Sequence, residues 1–346
     1  MKLKDVFSKE NKRTFVIAEI GSNHNQDIKL AYELIDVAKE AGADAVKFQS
    51  IKGSELYNLE ELSNEEKELM EKIKFNESWY DQITAYAKKK EIPFFSAPTY
   101  LKAIDILEKY DVEFYKIASP QTYGFPQLIE KVAKTKKPAI MSTGYCNYGE
   151  IERAVRKFQS TGNQGLALLH CVSQYPAPPE SINLNFIQTL KKMFNVPVGF
   201  SDHTLGYHIT LAAAAKGAEI IEKHITLSRN MKGPDHFFAL EPNELRDMIK
   251  EIREVEISLG TAAKIKTTKI EDQIKNSFKH YITAKTDHDP GEVINKNNLI
   301  FKRMPMKDPK KAERLIESWD IEKYMNKKIK KTMQKNSFIT KEDVEL

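Results

Sequence analysis

Only two cysteines, Cys146 and Cys171, occur in the 346-residue chain. That is too few for a disulfide scaffold and fits reduced thiols in a cytosolic protein. No apolar run approaches the ~20 residues that a membrane-spanning helix needs. The opening MKLKDVFSKENKRTF carries charge throughout and lacks the apolar stretch of a secretory signal, so a cytoplasmic protein without a membrane partner is expected. Charge of one sign is not in excess either. Lys and Arg number 54 against 49 Asp and Glu, a net +5, and the signs are interspersed, which excludes a strongly basic nucleic-acid binder. Glycine and proline, 14 each, exclude collagen-like and low-complexity classes. No G-x-G-x-x-G follows any apolar run, which argues against a dinucleotide fold. No repeat of solenoid type is present.

What is present is alternation. Eight short apolar, β-branched or aromatic runs recur: Phe15 to Gly21, Ala45 to Gln49, Pro93 to Pro98, Phe114 to Ser119, Pro138 to Gly144, Leu166 to Val172, Val198 to His203 and Glu219 to Thr226. Each begins as a nearly continuous apolar stretch, the pattern of strands buried on both faces of a parallel sheet. Helix-period segments separate them. In DIKLAYELIDVAKEAG, for example, Ala31, Leu34, Ile35 and Ala38 share a face and Gly42 marks the stop. Eight such units over roughly 250 residues predict an α/β fold, a (β/α)8 TIM barrel. A doubly wound open sheet is the structural alternative. From about Thr261 the texture changes to a charged helical connector and then to short strands and turns around YITAKTD, HDPGE, VINKNNLIFKR and FITKEDVEL. The expected organisation is a barrel over 1–260, a linker over 261–279 and a small β-rich domain over 280–346.

Polar residues cluster at the ends of these runs. Glu19 and His24 follow the first, Lys47 and Gln49 end the second, and Ser96 ends the third. Lys116 and Ser119, Ser142 and Thr143, His170 and Ser173, Ser201 with Asp202 and His203, and Glu222 with His224 end the rest. Any one alone reads as a cap or a satisfied core group. Their recurrence at one end of successive strands points to a shared pocket, because a parallel barrel gathers its C-terminal strand ends at one mouth.

Within that set His203 and His224 fall on adjacent strands, ~4.8 Å apart. Both imidazoles can therefore reach one divalent ion with open positions, such as Mn²⁺, Co²⁺, Mg²⁺ or Zn²⁺. A pair of structural histidines is the other reading. Asp202, Glu222 and Asp235 are candidate further ligands or orienting groups. Lys47 and Lys116, costly inside apolar strands unless they meet an anion, combine with Ser119, Ser142 and Ser201 into a set suited to phosphate. A Schiff-base lysine is the competing chemistry. Glu19 can accept a proton, hold a substrate hydroxyl, or pair with Lys47.

The segments VIAEIGSNHN, DAVKFQS, FYKIAS, IMSTG, LLHCVSQYPAP, VGFSDHTLGYH, IIEKHITL and KGPDH follow one another as in the sialic acid synthase family, which makes N-acetylneuraminate and related nonulosonic acids. The chain resembles that family over almost its whole length. Its tail, PGEVINKNNLIFKR, looks like the antifreeze-like (SAF) domain that ends those enzymes. The resemblance implies condensation of phosphoenolpyruvate with an unphosphorylated N-acetylated hexosamine, with C–O cleavage and release of phosphate. It implies a divalent metal, Mn²⁺ ahead of Mg²⁺ or Co²⁺, on His203 and His224. It places Lys47, Lys116, Ser119, Ser142 and Ser201 on phosphoenolpyruvate. Glu19, Glu222 and Asp235 match the sugar- and mechanism-associated carboxylates, and Tyr175 matches a pocket tyrosine. It further implies a homodimer in which the SAF domain reaches into the partner's barrel, with Arg303 matching an arginine that touches the N-acetyl group. Whether Glu19 or Glu222 shuttles protons stays open.

Four positions depart from the family pattern. Ser96-Ala97-Pro98-Thr99 stands for Ser-Thr-Pro-Phe, Ser119-Pro120-Gln121 for Ser-Gly-Glu, and Ser173 for an asparagine two residues before the tyrosine. Lys302-Arg303-Met304-Pro305-Met306-Lys307 stands for Lys-Arg-Pro-Gly-Asn-Gly. One phosphate-side hydroxyl is therefore missing or displaced to Thr99, the phosphoenolpyruvate and metal ends are otherwise largely kept, and the sugar end, to which Gln49, Gln121, Ser173, Tyr175, Asp235 and Arg303 are assigned, is altered. An acceptor other than plain N-acetylmannosamine, such as a 2,4-diacetamido relative, is therefore expected. The rival readings are another phosphoenolpyruvate-dependent deoxy-keto-acid synthase, which would need a second phosphate site, and a non-catalytic binding relative.

Overall fold

The computed structural model describes residues 3–7, 13–262, 267–305 and 309–345. The start of the N-terminal segment, its residues 8–12, and Met306 and Lys307 of the tail motif lie outside the described residues. Each of the eight apolar runs forms a strand: β1 (Phe15–Gly21), β2 (Ala45–Ser50), β3 (Phe94–Pro98), β4 (Tyr115–Ile117), β5 (Ala139–Ser142), β6 (Leu166–Cys171), β7 (Val198–Asp202) and β8 (Ile220–His224). All pairings are parallel. The hydrogen-bonded order is β3-β2-β1-β8-β7-β6-β5-β4, and β3 lies beside β4 at the seam. This is a near-closed TIM barrel wrapped by helices.

The apolar runs are continuous because both strand faces are covered. Phe15, Ile17, Ala45, Phe95, Phe114, Ile140, Ala167, Leu169 and Ile220 pack together inside the barrel with Leu3 and Val6 of a short N-terminal helix. The alternate positions, among them Val16, Ala18, Val46, Phe48, Ile117, Leu168 and Ile221, face the helical layer. That layer is built as its sequence dictates. In the helix Ile28–Ala41 the Asp27 carboxylate accepts from the Lys29 amide at 2.8 Å, and Gly42 ends the helix in the left-handed region at φ 88°. Its buried stripe is Ala31, Leu34, Ile35, Ala38 and Ala41, and each large apolar side chain so buried contributes about 1.5–3 kcal/mol.

One close approach matters for the site. A β-carbon on Gly199 would overlap the Ile220 carbonyl. Glycine there lets β7 and β8 come together, and two residues further on the register sets Ser201 opposite Glu222.

Tertiary contacts divide the chain into Met1–Gly260 and Thr261–Leu346. The second unit holds a two-stranded antiparallel sheet, β9 (His280–Ala284) with β10 (Leu299–Arg303). It has its own core of Ile282, Ile294, Leu299, Ile316, Ile329, Ile339 and Val344.

Candidate active site

Above the apolar interior plug, the inward strand positions become polar. Glu19 of β1, Lys47 and Gln49 of β2, Lys116 of β4, Ser142 of β5, Ser201 of β7 and Glu222 and His224 of β8 all line one cavity of about 360 Å³. Ser119, Gln121, Tyr175 and His203 of the predicted set line it too. Residues spread over some two hundred positions of sequence thus meet at the C-terminal mouth, as the barrel requires.

Two lysines and two glutamates form the cavity's charged floor. Lys47 Nζ lies 3.2 Å from Glu19 Oε2 and 3.3 Å from Glu222 Oε1, and Lys116 Nζ lies 3.5 Å from Glu222 Oε1. Lys116 donates to Ser142 Oγ at 2.7 Å, and Ser201 Oγ donates to Glu222 Oε1 at 3.0 Å. Gln49 Nε2 donates to Glu19 Oε1 at 2.6 Å. The four charged side chains are almost wholly buried, so each must be matched by a partner or by a ligand.

The two carboxyls are not equivalent. Burial pushes Glu19 up to about 7, against the pull of Lys47 and with the repulsion of Glu222. Burial also pushes on Glu222, but Lys116 and Lys47 together overrule it and hold that carboxyl down at about 2. Near neutral pH Glu222 is thus a fixed anion and Glu19 carries a proton part of the time. With Glu19 protonated, both lysines face one carboxylate; burial lowers Lys116, an effect an arriving anion opposes, so the floor has positive charge to offer an anion.

The serines extend this floor into a cradle. The Gly144 amide donates to Ser119 Oγ at 3.0 Å. A β-carbon on Gly144 would overlap both Ser119 Oγ and Ser173 Oγ, so the glycine keeps the space between the two hydroxyls open. Ser173 Oγ, Gln121 Oε1, Glu222 Oε2 and His224 Nδ1 are all buried without a hydrogen-bond partner among the described residues. Buried polar atoms are ordinarily paired, and four orphans around one cavity indicate groups waiting for a ligand.

The histidines stand beside this cradle. The rings of His203 and His224 are 5.5 Å apart, and Tyr175 covers His203 at 4.1 Å. His203 Nδ1 lies 2.8 Å from the Val172 carbonyl. A carbonyl only accepts, so this nitrogen carries a proton and Nε2 is the one left for a cation. Burial lowers the ring's proton affinity, but Cys171, the Val172 carbonyl and Glu222 outweigh it and raise His203 above its ordinary value, so a cation would displace a proton there. Burial, with His203 and Lys47 adding to it, holds His224 well below its ordinary value, which keeps that imidazole neutral. Asp235 stands 3.9 Å from His224 Nδ1 and accepts from Ser22 Oγ at 2.9 Å. Two imidazoles side by side, one of them held neutral with an orphaned nitrogen, fit a divalent cation whose other positions are filled by water or substrate oxygens. No group of three or more His, Cys, Asp or Glu converges on a metal position among the described residues.

Other polar strand ends turn away from the cavity. Asp202 faces the helical layer, where it pairs with Lys223 at 3.0 Å and accepts from the Thr204 amide; it is not a ligand. His170 meets the Ile182 carbonyl, and Ser96 bonds to Ser50 and the Phe48 carbonyl. His24 packs between Phe48, Phe75 and Trp79. Ser173 and Asp235 border the cavity rather than line it. The inward residue of β3 is Ala97, and the Thr99 hydroxyl is bonded to the Ser50 carbonyl at 2.7 Å, so no free hydroxyl replaces the one missing there. Cys171, the inward neighbour of His170, lines the cavity 3.9 Å from His203 Nδ1. Sequence reasoning missed it; strict alternation along β6 was the available signal. Arg303 belongs to the second unit, exposed, with its guanidinium 5.3 Å over the Phe278 ring.

The model of the NeuB family matches residues 34–264. The chain belongs to the NeuB family. As a NeuB chain it is a nonulosonic acid synthase by family, and several of its relatives carry such names. The N,N'-diacetyllegionaminic acid synthase of Campylobacter jejuni is 41% identical over 305 residues, covering 84% of this chain and 91% of that protein. An uncharacterized protein of Methanocaldococcus jannaschii is 41% identical over 347 residues, covering 99% and 98%. Among solved structures, the N-acetylneuraminic acid synthetase of Leptospira borgpetersenii, crystallised with citrate, is 36% identical, covers 77% of this chain and 92% of its own, and has a TM-score of 0.70. No helix among the described residues of this NeuB chain is long and apolar enough to cross a membrane.

Proposed function

We propose that the chain condenses phosphoenolpyruvate with the open-chain form of an unphosphorylated N-acetylated hexosamine, N-acetylmannosamine or a 2,4-diacetamido relative, to give a nonulosonic acid and inorganic phosphate. The observation that carries this reading is the buried Lys47–Lys116–Glu19–Glu222 floor beside two adjacent imidazoles. C3 of phosphoenolpyruvate forms a bond to the aldehyde carbon, whose oxygen takes up a proton. Water adds at C2 and gives up a proton, and the C2–O bond breaks as phosphate leaves.

Lys47 and Lys116 hold the phosphate and carboxylate, with Ser119, Ser142 and Ser201 as hydroxyl donors. Glu19 is the proton shuttle: its affinity for a proton is matched to neutral pH, and the Gln49 amide fixes its orientation. Glu222, held ionised, keeps the two ammonium groups aligned. His203 and His224 would hold a divalent cation, Mn²⁺ first, and such an ion supplies Lewis-acid polarisation of a substrate oxygen. Asp235, Tyr175, Gln121 and Ser173 surround the acceptor.

Phosphate release tests the reading directly. Purified protein with phosphoenolpyruvate and Mn²⁺ should liberate phosphate when 2-acetamido or 2,4-diacetamido hexoses are added. Silence across the whole panel would leave only a binding role. Turnover confined to N-acetylmannosamine would refute an altered acceptor.

We also propose that the protein acts as a homodimer in which Arg303 of one copy reaches the acceptor in the other. The exposed guanidinium over Phe278 supports it, because such a cation can grip an acetamido carbonyl. Arg303→Ala should raise the acceptor KM about tenfold, the order of one charge-assisted hydrogen bond, and leave that of phosphoenolpyruvate unchanged. An unmoved acceptor KM would count against this contact.

A further inference from the structure

A second buried charge pair stands behind the histidines, on the side away from the cavity. The residue before each histidine is charged: Asp202 precedes His203, and Lys223 precedes His224. Side chains alternate faces along a strand. The imidazoles line the cavity, so Asp202 and Lys223 turn to the helical layer. The register sets the two opposite each other. Lys223 Nζ lies 3.0 Å from Asp202 Oδ2, and neither side chain is exposed.

The pair does more than neutralise itself. β7 ends at Asp202, and Asp202 with Lys223 is its last ladder position against β8. His203 therefore lies one residue beyond the ladder. Lys223 takes over at that point, because its Nζ also donates to the Thr204 carbonyl at 2.6 Å. The Thr204 amide donates to Asp202 Oδ1 at 2.8 Å, and Thr210 Oγ1 of the helix His208–Ala215 donates to Asp202 Oδ2. One ammonium group thus grips the chain immediately before and immediately after His203. His224 is anchored separately, opposite Glu19 in the β1–β8 ladder. The other holds on His203 come from the segment after β6: its ring meets the Val172 carbonyl at 2.8 Å, and its own carbonyl accepts from the Ala177 amide at 2.9 Å. Towards β8, the Lys223 bridge replaces the missing ladder.

Stability does not account for such a pair. Taking a lysine and an aspartate wholly out of water costs about what their attraction returns, and apolar residues of similar volume often serve a fold as well or better. Two apolar side chains cannot, however, fix a backbone carbonyl and a backbone amide in place.

We infer that Lys223 and Asp202 are positioning residues for the cation site: the pair sets the separation and facing of the His203 and His224 rings, 5.5 Å apart, before an ion arrives. The inference rests on the proposed role of the two histidines. Neither residue touches substrate; both act through the backbone that carries the imidazoles.

Lys223→Met alone would strand a buried carboxylate and threaten the fold. The double variant Asp202→Asn/Lys223→Met leaves no buried charge unpaired. Its amide oxygen still accepts from the Thr204 amide, so the bridge between strands is what is lost. In calorimetric titration its Mn²⁺ affinity should fall about 10- to 100-fold, the usual cost of losing a group that orients metal ligands. Phosphoenolpyruvate affinity, titrated without metal, should be unchanged, and raising Mn²⁺ by about the same factor should restore kcat. Leu107→Ala, in the buried stripe of the helix Leu101–Lys109 between β3 and β4, is the control across the barrel. It should lower the thermal midpoint and leave Mn²⁺ affinity as in wild type. Wild-type Mn²⁺ affinity in the double variant, or an equal loss in Leu107→Ala, would overturn the inference. Weakened Mn²⁺ binding by the double variant alone, with no phosphate release from any sample, would uphold the pair and sink the condensation. Phosphate release by a wild-type protein that binds no Mn²⁺ would do the reverse.

Discussion

His224→Ala should abolish turnover almost completely, with kcat/KM falling about 10³-fold or more. Loss of a bound cation that polarises substrate oxygen removes several kcal/mol of transition-state stabilisation. The substitution takes away one of two imidazoles, and nothing nearby replaces it, since Asp235 is held by Ser22 and Asp202 is committed to Lys223 on the outer face. Calorimetric titration with Mn²⁺ gives a readout independent of activity: the wild type should bind one equivalent and the variant should show no heat at the same concentrations. The thermal midpoint should move little, because the ring sits at the cavity edge rather than in the apolar plug. Full activity of the wild type in excess chelator would end the metal assignment. Retained Mn²⁺ binding by the variant would move the site away from His224.

Glu19→Gln should lower kcat by about 10²- to 10⁴-fold, the usual contribution of a placed proton donor. The amide keeps the shape of the carboxyl but carries no transferable proton. The sign of the pH dependence follows from the raised value. With Glu19 titrating at about 7, its proton-donating form is present below that pH and disappears above it. Wild-type kcat should therefore fall as pH rises through about 7, and this limb should vanish in the variant. The phosphoenolpyruvate KM should stay level or drop, since the substitution removes a negative charge next to Lys47. A variant with normal rate, or one that keeps the same limb, would transfer the shuttle role elsewhere.

The barrel was legible because strands covered on both faces need no alternation, and their unbroken apolar starts stand out from amphipathic helices. The chemistry was legible by position, since any polar side chain at the C-terminal end of such a run lies near the mouth. Parity was not legible. Lys47 points inward and Ser96 outward, His170 outward and Cys171 inward, because a side chain's face depends on the strand's register and not on its identity. A charged residue such as Asp202 looks the same in sequence whether it meets a ligand or Lys223. The place of Leu56, Tyr57, Met70 and Ile73 on the cavity wall escaped notice for a different reason. The segment from Gly53 to Ile73 is rich in glutamate and reads as a solvated surface helix, while its few apolar residues act only through where the fold places them. The inequality of Glu19 and Glu222 was equally hidden, since it arises from which carboxyl receives both lysines.

The glycine at 199 gives the molecule an uneven tolerance to change. Its backbone-to-backbone fit with Ile220 sets the spacing of Ser201 and Glu222, so a larger residue there would disturb catalysis and folding together. The stretch from Gly53 to Ile73, with its helices Gly53–Leu56 and Asn64–Ile73, is less constrained, as neither helix holds a buried residue. A library randomised along that stretch should yield mostly folded proteins, whereas one randomised around position 199 should yield few survivors. Tolerance to substitution is thus graded from the surface helices to the β7–β8 seam.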